Sequence, residues 1–220
     1  HVQPVTVLLA MKAKRPVRLI MSREEDFEAV RARHPVHIRM KTGAAADGTL
    51  IAREVELVLD GGAYGDDSPG VLGYALLMNC GPYRIPHVRA LGRVAYTNKM
   101  RFGAMRGFGV PQVTFAGEQQ LDELAQKLGL DPAELRQRNA MGPDDTWFGG
   151  QSLTSNGLGE CLQTVLSESQ WAAKRQAMPA APGKRRGIGL ALSGHISGLL
   201  SSGAIVRLLE DGTAILNVGP

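Results

Sequence analysis

A glycine-rich loop near the middle of the chain carries the residue types best suited to chemistry. Three glycines, an arginine and a phenylalanine fall in one short run before a predicted helix, Gly103-Ala104-Met105-Arg106-Gly107-Phe108-Gly109. Glycines let backbone amides approach oxygen atoms closely, a helix N-terminus adds partial positive charge, and arginine offers a forked donor that suits phosphate. The loop therefore predicts a site for an anionic ligand, with Phe108 facing a flat partner.

A purely structural turn would use the same residues differently. Phe108 would then pack into the core, and the guanidinium of Arg106 would be solvated. On local chemistry alone the structural turn is the somewhat better interpretation, so the loop needs support from other parts of the sequence.

Two weaker candidates for a site lie elsewhere. His195 could line a pocket, but a histidine in a glycine-serine loop is more often part of a plain loop; its neighbours are Ser193, Gly194, Ser197 and Gly198. Asp66 and Asp67 could hold a cation, yet adjacent acids in a loop are usually solvated and no third ligand is evident. We therefore expect neither group to form a site.

The two cysteines do not form a recognisable metal site. Cys80 and Cys161 are far apart, and neither has a second cysteine or a histidine at metal-ligand spacing. We expect two reduced thiols in a cytoplasmic protein.

Composition excludes several classes of protein. Hydrophobic residues make up 44% and charged residues 21% of the chain, as in folded globular proteins. The apolar stretches are far shorter than the roughly 20 residues that cross a bilayer. The net charge is +4, but basic residues are scattered among acids except at residues 184–186, so we expect no nucleic-acid binding. The sequence opens in a helix-like segment and stops in a strand-like one, so we expect a piece of a longer protein.

The alternation of polar and apolar residues predicts two β-hairpins. Residues 37–42 and 50–59 alternate like strands around an Asp-Gly-Thr turn, and the same pattern recurs at residues 204–218. An internal structural repeat would explain both hairpins, although Asp-Gly favours hairpin turns in any protein.

Helices are predicted between the hairpins. One begins after Pro111 and has an apolar face made of Phe115, Leu121, Leu124 and Leu128. Asp131 caps the next helix, which continues to Ala140. A third covers residues 158–175, with an apolar side made of Cys161, Leu162, Val165, Leu166 and Trp171.

A loop is predicted after these helices. Residues 177–183 contain two prolines and no hydrophobic period, and strand-forming residues resume at 187–192. We therefore divide the chain into residues 1–178 and residues 179–220, the second part beginning another hairpin repeat.

The motif Arg-Gly-Phe-Gly-x-Pro-Gln at residues 106–112 closely resembles a loop of the xanthine oxidase and aldehyde oxidase family, in its large molybdopterin-binding subunit. Other segments resemble the same subunit in the same order. They are Arg15-Pro16-Val17-Arg18, Ser22-Arg23-Glu24-Glu25-Asp26, Gly61-Gly62-Ala63-Tyr64, Tyr83-Arg84-Ile85-Pro86-His87-Val88, Thr97-Asn98 and residues 131–139. An accidental match would not keep this order over most of the chain.

The resemblance implies an α+β fold of antiparallel β-hairpins with flanking helices, as part of a molybdenum cofactor-binding domain. It implies molybdenum held by molybdopterin, and an oxidoreductase that hydroxylates a carbon beside a heteroatom or carbonyl with oxygen from water. Electrons would pass to iron-sulfur and FAD groups on partner domains or subunits, and the intact complex would be a dimer. Whether the pterin carries a cytosine dinucleotide stays open.

The resemblance also implies roles for single residues. The residues placed beside the cofactor are Gly103, Ala104, Met105, Arg106 and Gly107, and Phe108 would stack on an aromatic substrate. Met105 stands where the family often has phenylalanine, a swap of similar volume.

Two further substrate positions depart from the purine-specific members of the family. Tyr74 stands where those members carry a substrate-binding arginine, and Leu192 falls near their second aromatic side chain. Purine is therefore not the expected substrate. Another aromatic heterocycle, an aldehyde or an aryl thioester fits better.

The resemblance places other parts of the reaction outside this sequence. A Phe-Gly-Gly loop would precede His1, and a glutamine loop and the catalytic glutamate base would follow Pro220. We therefore expect the chain alone to be inactive. Two alternatives stay open: a non-enzymatic module that holds a phosphate or nucleotide in the same loop, and a structural accessory subunit.

Overall fold

The computed structural model describes residues 2–177, 180, 182–196 and 201–219. Within them the helices are α1 Gln3–Ala13, α2 Arg23–Ala29, α3 Ser68–Leu77, α4 Val110–Leu128, α5 Pro132–Asn139, α6 Leu158–Glu168 and α7 Trp171–Gln176. The strands are β1 Val36–Ala44, β2 Leu50–Gly62, β3 His87–Tyr96, β4 Ala204–Leu208 and β5 Ala214–Val218. The predicted α+β architecture is confirmed.

The larger sheet has three strands in the order β1-β2-β3. β1 and β2 form the first predicted hairpin, and β3 pairs with β2 in parallel after the crossover helix α3. β3 was not predicted from the sequence. The signal that could have revealed it is the alternation of Val88, Ala90 and Val94 with polar residues, since the exposure of β3 alternates in the same way.

One face of this sheet packs against α3 and α4. The buried cluster between them consists of Val55, Leu57, Leu59, Val71, Ala75, Met78, Val110 and Val113. A second buried cluster consists of Leu50, Tyr83, Leu121, Ala125, Leu135, Leu162 and Leu192. The first cluster supports the glycine-rich loop, because Val110 belongs to it and Phe108 packs against it.

Helix α4 confirms one predicted core position and corrects another. Leu121 is buried, and Leu124 and Leu128 pack against the second cluster, as predicted. Phe115, predicted to be in the core, is 69% exposed. The buried face of α4 runs through Val113, Leu121 and Ala125, at a spacing of four or eight residues that turns Phe115 away.

The predicted third helix is two helices, α6 and α7. Gln170 has a φ of 56°, and this left-handed residue separates them. Cys161 and Val165, both predicted to face the core, are exposed. α6 contacts the second cluster along one edge. That edge consists of Leu158, Leu162 and Leu166. Trp171, at the start of α7, is buried as predicted.

The end of the chain is confirmed in one part and corrected in another. β4 and β5 form the second predicted hairpin. Described residues 187–192 form no strand, contrary to the prediction; the amide of Leu192 donates to the side chain of Glu118 instead of to a neighbouring strand. The predicted boundary at residues 178 and 179 lies outside the described residues, as do Ser197 and Gly198. Among the described helices, none combines the length and the apolar character that a membrane span requires.

Candidate functional site

Left-handed backbone at three consecutive residues shapes the glycine-rich loop. Gly107, Phe108 and Gly109 have φ angles of 91°, 48° and 93°. Glycine adopts this conformation readily, whereas it costs a residue such as phenylalanine about 1–2 kcal/mol. Two hydrogen bonds hold the turn: the amide of Phe108 donates to the carbonyl of Met105 at 2.8 Å, and the amide of Val110 donates to the carbonyl of Gly107 at 2.9 Å. The loop is therefore a defined turn that leads directly into α4.

Several hydrogen-bond donors of this loop have no partner. Within the part of the chain that the structure describes, the amides of Arg106, Gly107 and Gly109 donate to no acceptor. The exposed guanidinium of Arg106 likewise forms no ion pair or hydrogen bond with any described residue. Since these donors adjoin the N-terminus of α4, they can receive an anionic or oxygen-rich group. The amide of Phe108, in contrast, is used within the turn.

Close contact with α3 fixes the other side of the loop. A Cβ at Gly109 would collide with the carbonyl oxygen of Val71 and lie 3.1 Å from the Cβ of Ala75. Only glycine therefore lets the loop lie so near to the helix. The approach brings the half-buried ring of Phe108 edge-on to Tyr74, with 5.2 Å between ring centroids and 81° between planes. Two predicted substrate-facing residues thus form one aromatic pair.

His195 joins this aromatic pair from the far end of the chain. Its ring centroid lies 5.5 Å from that of Tyr74. His195 also lines a cavity of about 420 Å³ with Gly107, Pro111 and Thr114. His195 was not expected to form a site, because the composition of its loop does not indicate the contact with Tyr74.

Leu192 lies apart from the aromatic pair. Its side chain is 9% exposed and packs in the second buried cluster, whereas Phe108 packs against the first. Its amide donates to Oε2 of Glu118 at 3.0 Å. Leu192 therefore anchors the backbone that leads to Ser193, Gly194 and His195.

Arg33 binds the backbone of the glycine-rich loop. This role was not predicted from the sequence. Its guanidinium donates to the carbonyl oxygen of Arg106 at 2.6 Å and to Oε1 of Gln112 at 3.4 Å. The preceding carbonyl, that of Ala32, accepts the amide of Gly103 at 3.1 Å. Arg33 thus ties the loop to the first turn of α4, and it leaves the guanidinium of Arg106 uninvolved.

The residues on either side of Arg33 attach the same segment to the start of α3. Arg31 pairs with Asp66 and Asp67, each at 3.0 Å. The two adjacent carboxylates therefore both pair with the guanidinium of Arg31, instead of being simply solvated. Nε2 of buried His34 lies 2.8 Å from Oγ of Ser68, and burial lowers the pKa of His34.

The carboxyl of Asp60, near the end of β2, binds Thr97 and Lys99 in the segment that leads to the glycine-rich loop. Burial raises the pKa of its carboxyl, but this effect is outweighed by hydrogen bonds from Lys99, Thr97 and the amide of Gly62, and the pKa falls to about 2. Gly62 has a φ of 70°, and a Cβ there would collide with the carbonyl of Met100. The Gly-Gly motif therefore serves a close backbone crossing, one that carries the chain to Gly103.

The described residues do not themselves offer a metal site. No group of three or more His, Cys, Asp or Glu side chains in that part of the chain could hold a metal ion. The loop donors instead suit the oxygen and nitrogen atoms of an organic, negatively charged group.

Relatives of this chain include subunits of dehydrogenases, one of them named as a molybdopterin subunit. The molybdopterin cofactor-binding domain family matches residues 1–140. A probable xanthine dehydrogenase subunit of Bacillus subtilis is 44% identical over 66% of this chain and 20% of its own length. The nicotinate dehydrogenase large molybdopterin subunit of Eubacterium barkeri is 41% identical over 76% of this chain and 40% of its own length.

The fold agrees with a solved relative. The aldehyde oxidoreductase of Desulfovibrio gigas superposes with a TM-score of 0.82 and 32% identity, over 98% of this chain and 24% of that one. The chain thus spans between about a fifth and two fifths of the length of these relatives. The match over residues 1–140 shows that the chain belongs to the molybdopterin cofactor-binding domain family, and its relatives include a xanthine dehydrogenase subunit and an aldehyde oxidoreductase.

Proposed function

We propose that the protein containing this chain is a molybdenum hydroxylase of the xanthine dehydrogenase type, and that this chain supplies part of its cofactor and substrate sites. The observation that carries the proposal is the set of unpartnered donors at Arg106, Gly107 and Gly109. These amides lie beside the N-terminus of α4, where the first N–H groups of a helix have no backbone partners of their own, so they are available to an anionic group. The family match supports molybdopterin as the group that uses them.

In this proposal the loop holds the pterin group through its donors. Arg106 offers its guanidinium and amide, Gly107 and Gly109 offer amides, and the backbone of residues 103–105 lines the approach. The bound group supplies the two-electron oxidation of the substrate carbon. The chain's own part is to orient that group and to exclude water around it.

The aromatic pair of Tyr74 and Phe108 forms the substrate wall. The ring of Phe108 lies next to the loop donors, so a flat substrate stacked on it lies close to the cofactor. Tyr74 offers no positive charge, and this supports an aromatic heterocycle or an aldehyde as substrate. The names of the relatives, a nicotinate dehydrogenase and an aldehyde oxidoreductase, fit this range. Leu192 contributes indirectly, by anchoring the backbone before His195.

The proposal extends to the assembly. Electrons leave through iron-sulfur and flavin groups on partner domains or subunits, and the complete complex is a dimer without a nucleic-acid or membrane partner. This chain alone is inactive, because it spans at most about two fifths of the relatives considered above. We place the protein in the cytoplasm, where Cys80 and Cys161, both free thiols, stay reduced.

Metal analysis of the complete protein tests the proposal. We expect Arg106→Ala to lower the molybdenum content several-fold, because the loop loses its one charged donor. Phe108→Ala should keep the metal and raise KM for aromatic aldehydes. Arg93→Ala is the matched control, since Arg93 is an exposed arginine on β3 that pairs with Glu56.

Two outcomes would contradict the proposal. Wild-type protein without molybdenum would exclude the hydroxylase. If it then bound a free nucleotide through Arg106, the phosphate-binding alternative would replace it. Equal molybdenum content in Arg106→Ala and Arg93→Ala would remove the loop from the cofactor site.

A further inference from the structure

His195 occupies an unusual place beside the aromatic pair. Its ring lies 5.5 Å from the ring of Tyr74, at an interplanar angle of 33°. The ring of Tyr74 in turn meets Phe108 at 5.2 Å. The three rings therefore form a continuous wall, in which His195 can form hydrogen bonds through its ring nitrogens and Tyr74 through its hydroxyl.

The hydrogen bonding of His195 defines what its ring can offer. Its Nδ1 lies 2.6 Å from the carbonyl oxygen of Ile196. A carbonyl can only accept, so Nδ1 must carry the proton and donate. In the neutral ring Nε2 is then an acceptor, and it has no hydrogen-bond partner in the described part of the chain.

The cavity beside the ring is suited to a ligand with a donor group. His195 lines it together with Gly107 and Thr114. The loop glycine thus shares one cavity with the ring of His195, whose Nε2 has no hydrogen-bond partner among the described residues. A ligand that donates a hydrogen bond to Nε2 is therefore favoured.

The position of His195 is held by its neighbours. A Cβ at Gly194 would lie 2.6 Å from the ring of Trp147, so only glycine passes there without a shift of that ring. Leu192 is anchored through Glu118. The short segment between Leu192 and His195 is therefore attached on both sides of Ser193, which sets the ring against Tyr74.

We propose that His195 is a substrate-contacting residue that selects ring substrates carrying an N–H or O–H donor, which Nε2 accepts. The inference rests on the proposed function, because it assumes that the wall of Tyr74 and Phe108 faces the substrate. It adds the substrate class: a flat ring with a hydrogen-bond donor near the carbon that is oxidised.

Equilibrium binding to the complete protein tests this inference independently of turnover. The probes are benzaldehyde with 3-hydroxybenzaldehyde, and quinazoline with quinazolin-4(3H)-one, so that each pair compares a ring without and with a donor. Calorimetry gives Kd, and steady-state kinetics gives KM and kcat. The variants are His195→Phe, which keeps an aromatic ring beside Tyr74, and His195→Gln, which keeps an acceptor.

We expect His195→Phe to weaken binding of the donor-bearing probes by about fivefold to tenfold, the loss of one hydrogen bond. The probes without a donor should change less than about twofold, kcat should be kept, and His195→Gln should recover part of the affinity. Equal effects on both members of each pair, or no effect on either, would overturn the role of His195. If the variants showed either of these results but had normal molybdenum content and turnover, the proposed function would remain and only the role of His195 would be rejected. Wild-type protein that binds none of the probes would overturn the inference, and absent molybdenum would overturn the proposed function as well.

Discussion

At the scale of single residues, backbone conformation positions the site as much as side-chain chemistry does. Gly109 combines a positive φ with a close approach to α3, and this places Phe108 against Tyr74. The motif predicted a glycine-rich turn before a helix, and that turn is present; the exposed guanidinium of Arg106 fits both the anion site and the structural turn that the sequence left open. The motif could not predict Arg33 or His195, because their contacts with the site arise from residues more than 70 positions away in the sequence.

Gly109→Ala should destabilise the protein by about 2–4 kcal/mol. The new Cβ adds the cost of left-handed backbone to a collision with the carbonyl of Val71, which cannot move without α3. Gly129→Ala is the control, because Gly129 has a φ of 69° but open space around it. This variant should lower the free energy of unfolding by about 1 kcal/mol. Denaturant unfolding measures both. Equal losses would show that the contact with α3 has no role.

Arg33→Ala should reduce cofactor retention while leaving stability almost unchanged. The carbonyl of Arg106 would lose its 2.6 Å hydrogen bond, and the loop would sample other conformations. Gln112→Ala is the control, since it removes the longer contact with Arg33 and a 3.4 Å hydrogen bond to the carbonyl of His34 but keeps the bond from Arg33 to Arg106. Molybdenum content and thermal unfolding should be measured on both variants. Full retention in Arg33→Ala would argue against a positioning role.

At the scale of elements, capping signals predicted the structure more reliably than apolar periodicity did. Asp131 caps α5 as predicted; the capping box of Ser22 and Glu25 at α2 was not predicted, although the same kind of signal is present there. Periodicity failed for Phe115 and Cys161, because it identifies the apolar residues of a helix but not which of them meet another element. The strand predicted at residues 187–192 failed for a related reason: the side chain of Glu118 accepts an amide there that a neighbouring strand would otherwise use.

Asp131→Ala should cost about 1–2 kcal/mol and loosen α7 as well as α5. Oδ1 of Asp131 accepts the amide of Ala133 at 2.7 Å and the indole N–H of Trp171 at 2.9 Å. Asp131→Asn keeps an acceptor oxygen and should retain most of the stability. Unfolding followed by the fluorescence of Trp171 and Trp147 measures both effects. No difference between Ala and Asn would show that the cap contributes little.

At the scale of the whole molecule, a buried charge network connects the second buried cluster to the segment that carries His195. Oε1 of Glu118 accepts the hydroxyl of Tyr83, and its Oε2 accepts Nε of Arg136 and the amide of Leu192. The side chain of Arg136 is fully buried. This network connects α4, α5 and the segment that leads to His195, so it links the stability of the fold to the geometry of the site.

Glu118→Gln should destabilise the protein by about 3–5 kcal/mol, because the buried guanidinium of Arg136 loses the buried one of its two carboxylate partners. Asp122→Asn is the control: it also pairs with Arg136, at 2.8 Å, but it is half exposed and should cost less than about 1 kcal/mol. Denaturant unfolding of both variants tests this order. A reversed order would show that the network does not hold these elements together.

The central claim is that the unpartnered amides at Arg106, Gly107 and Gly109 face the cofactor. Amide hydrogen exchange, compared between cofactor-free and cofactor-loaded complete protein, tests this most directly. We predict that the peptide covering residues 103–109 becomes protected on loading, while the peptide of β1 does not change. Equal exchange of residues 103–109 in both states would contradict the account.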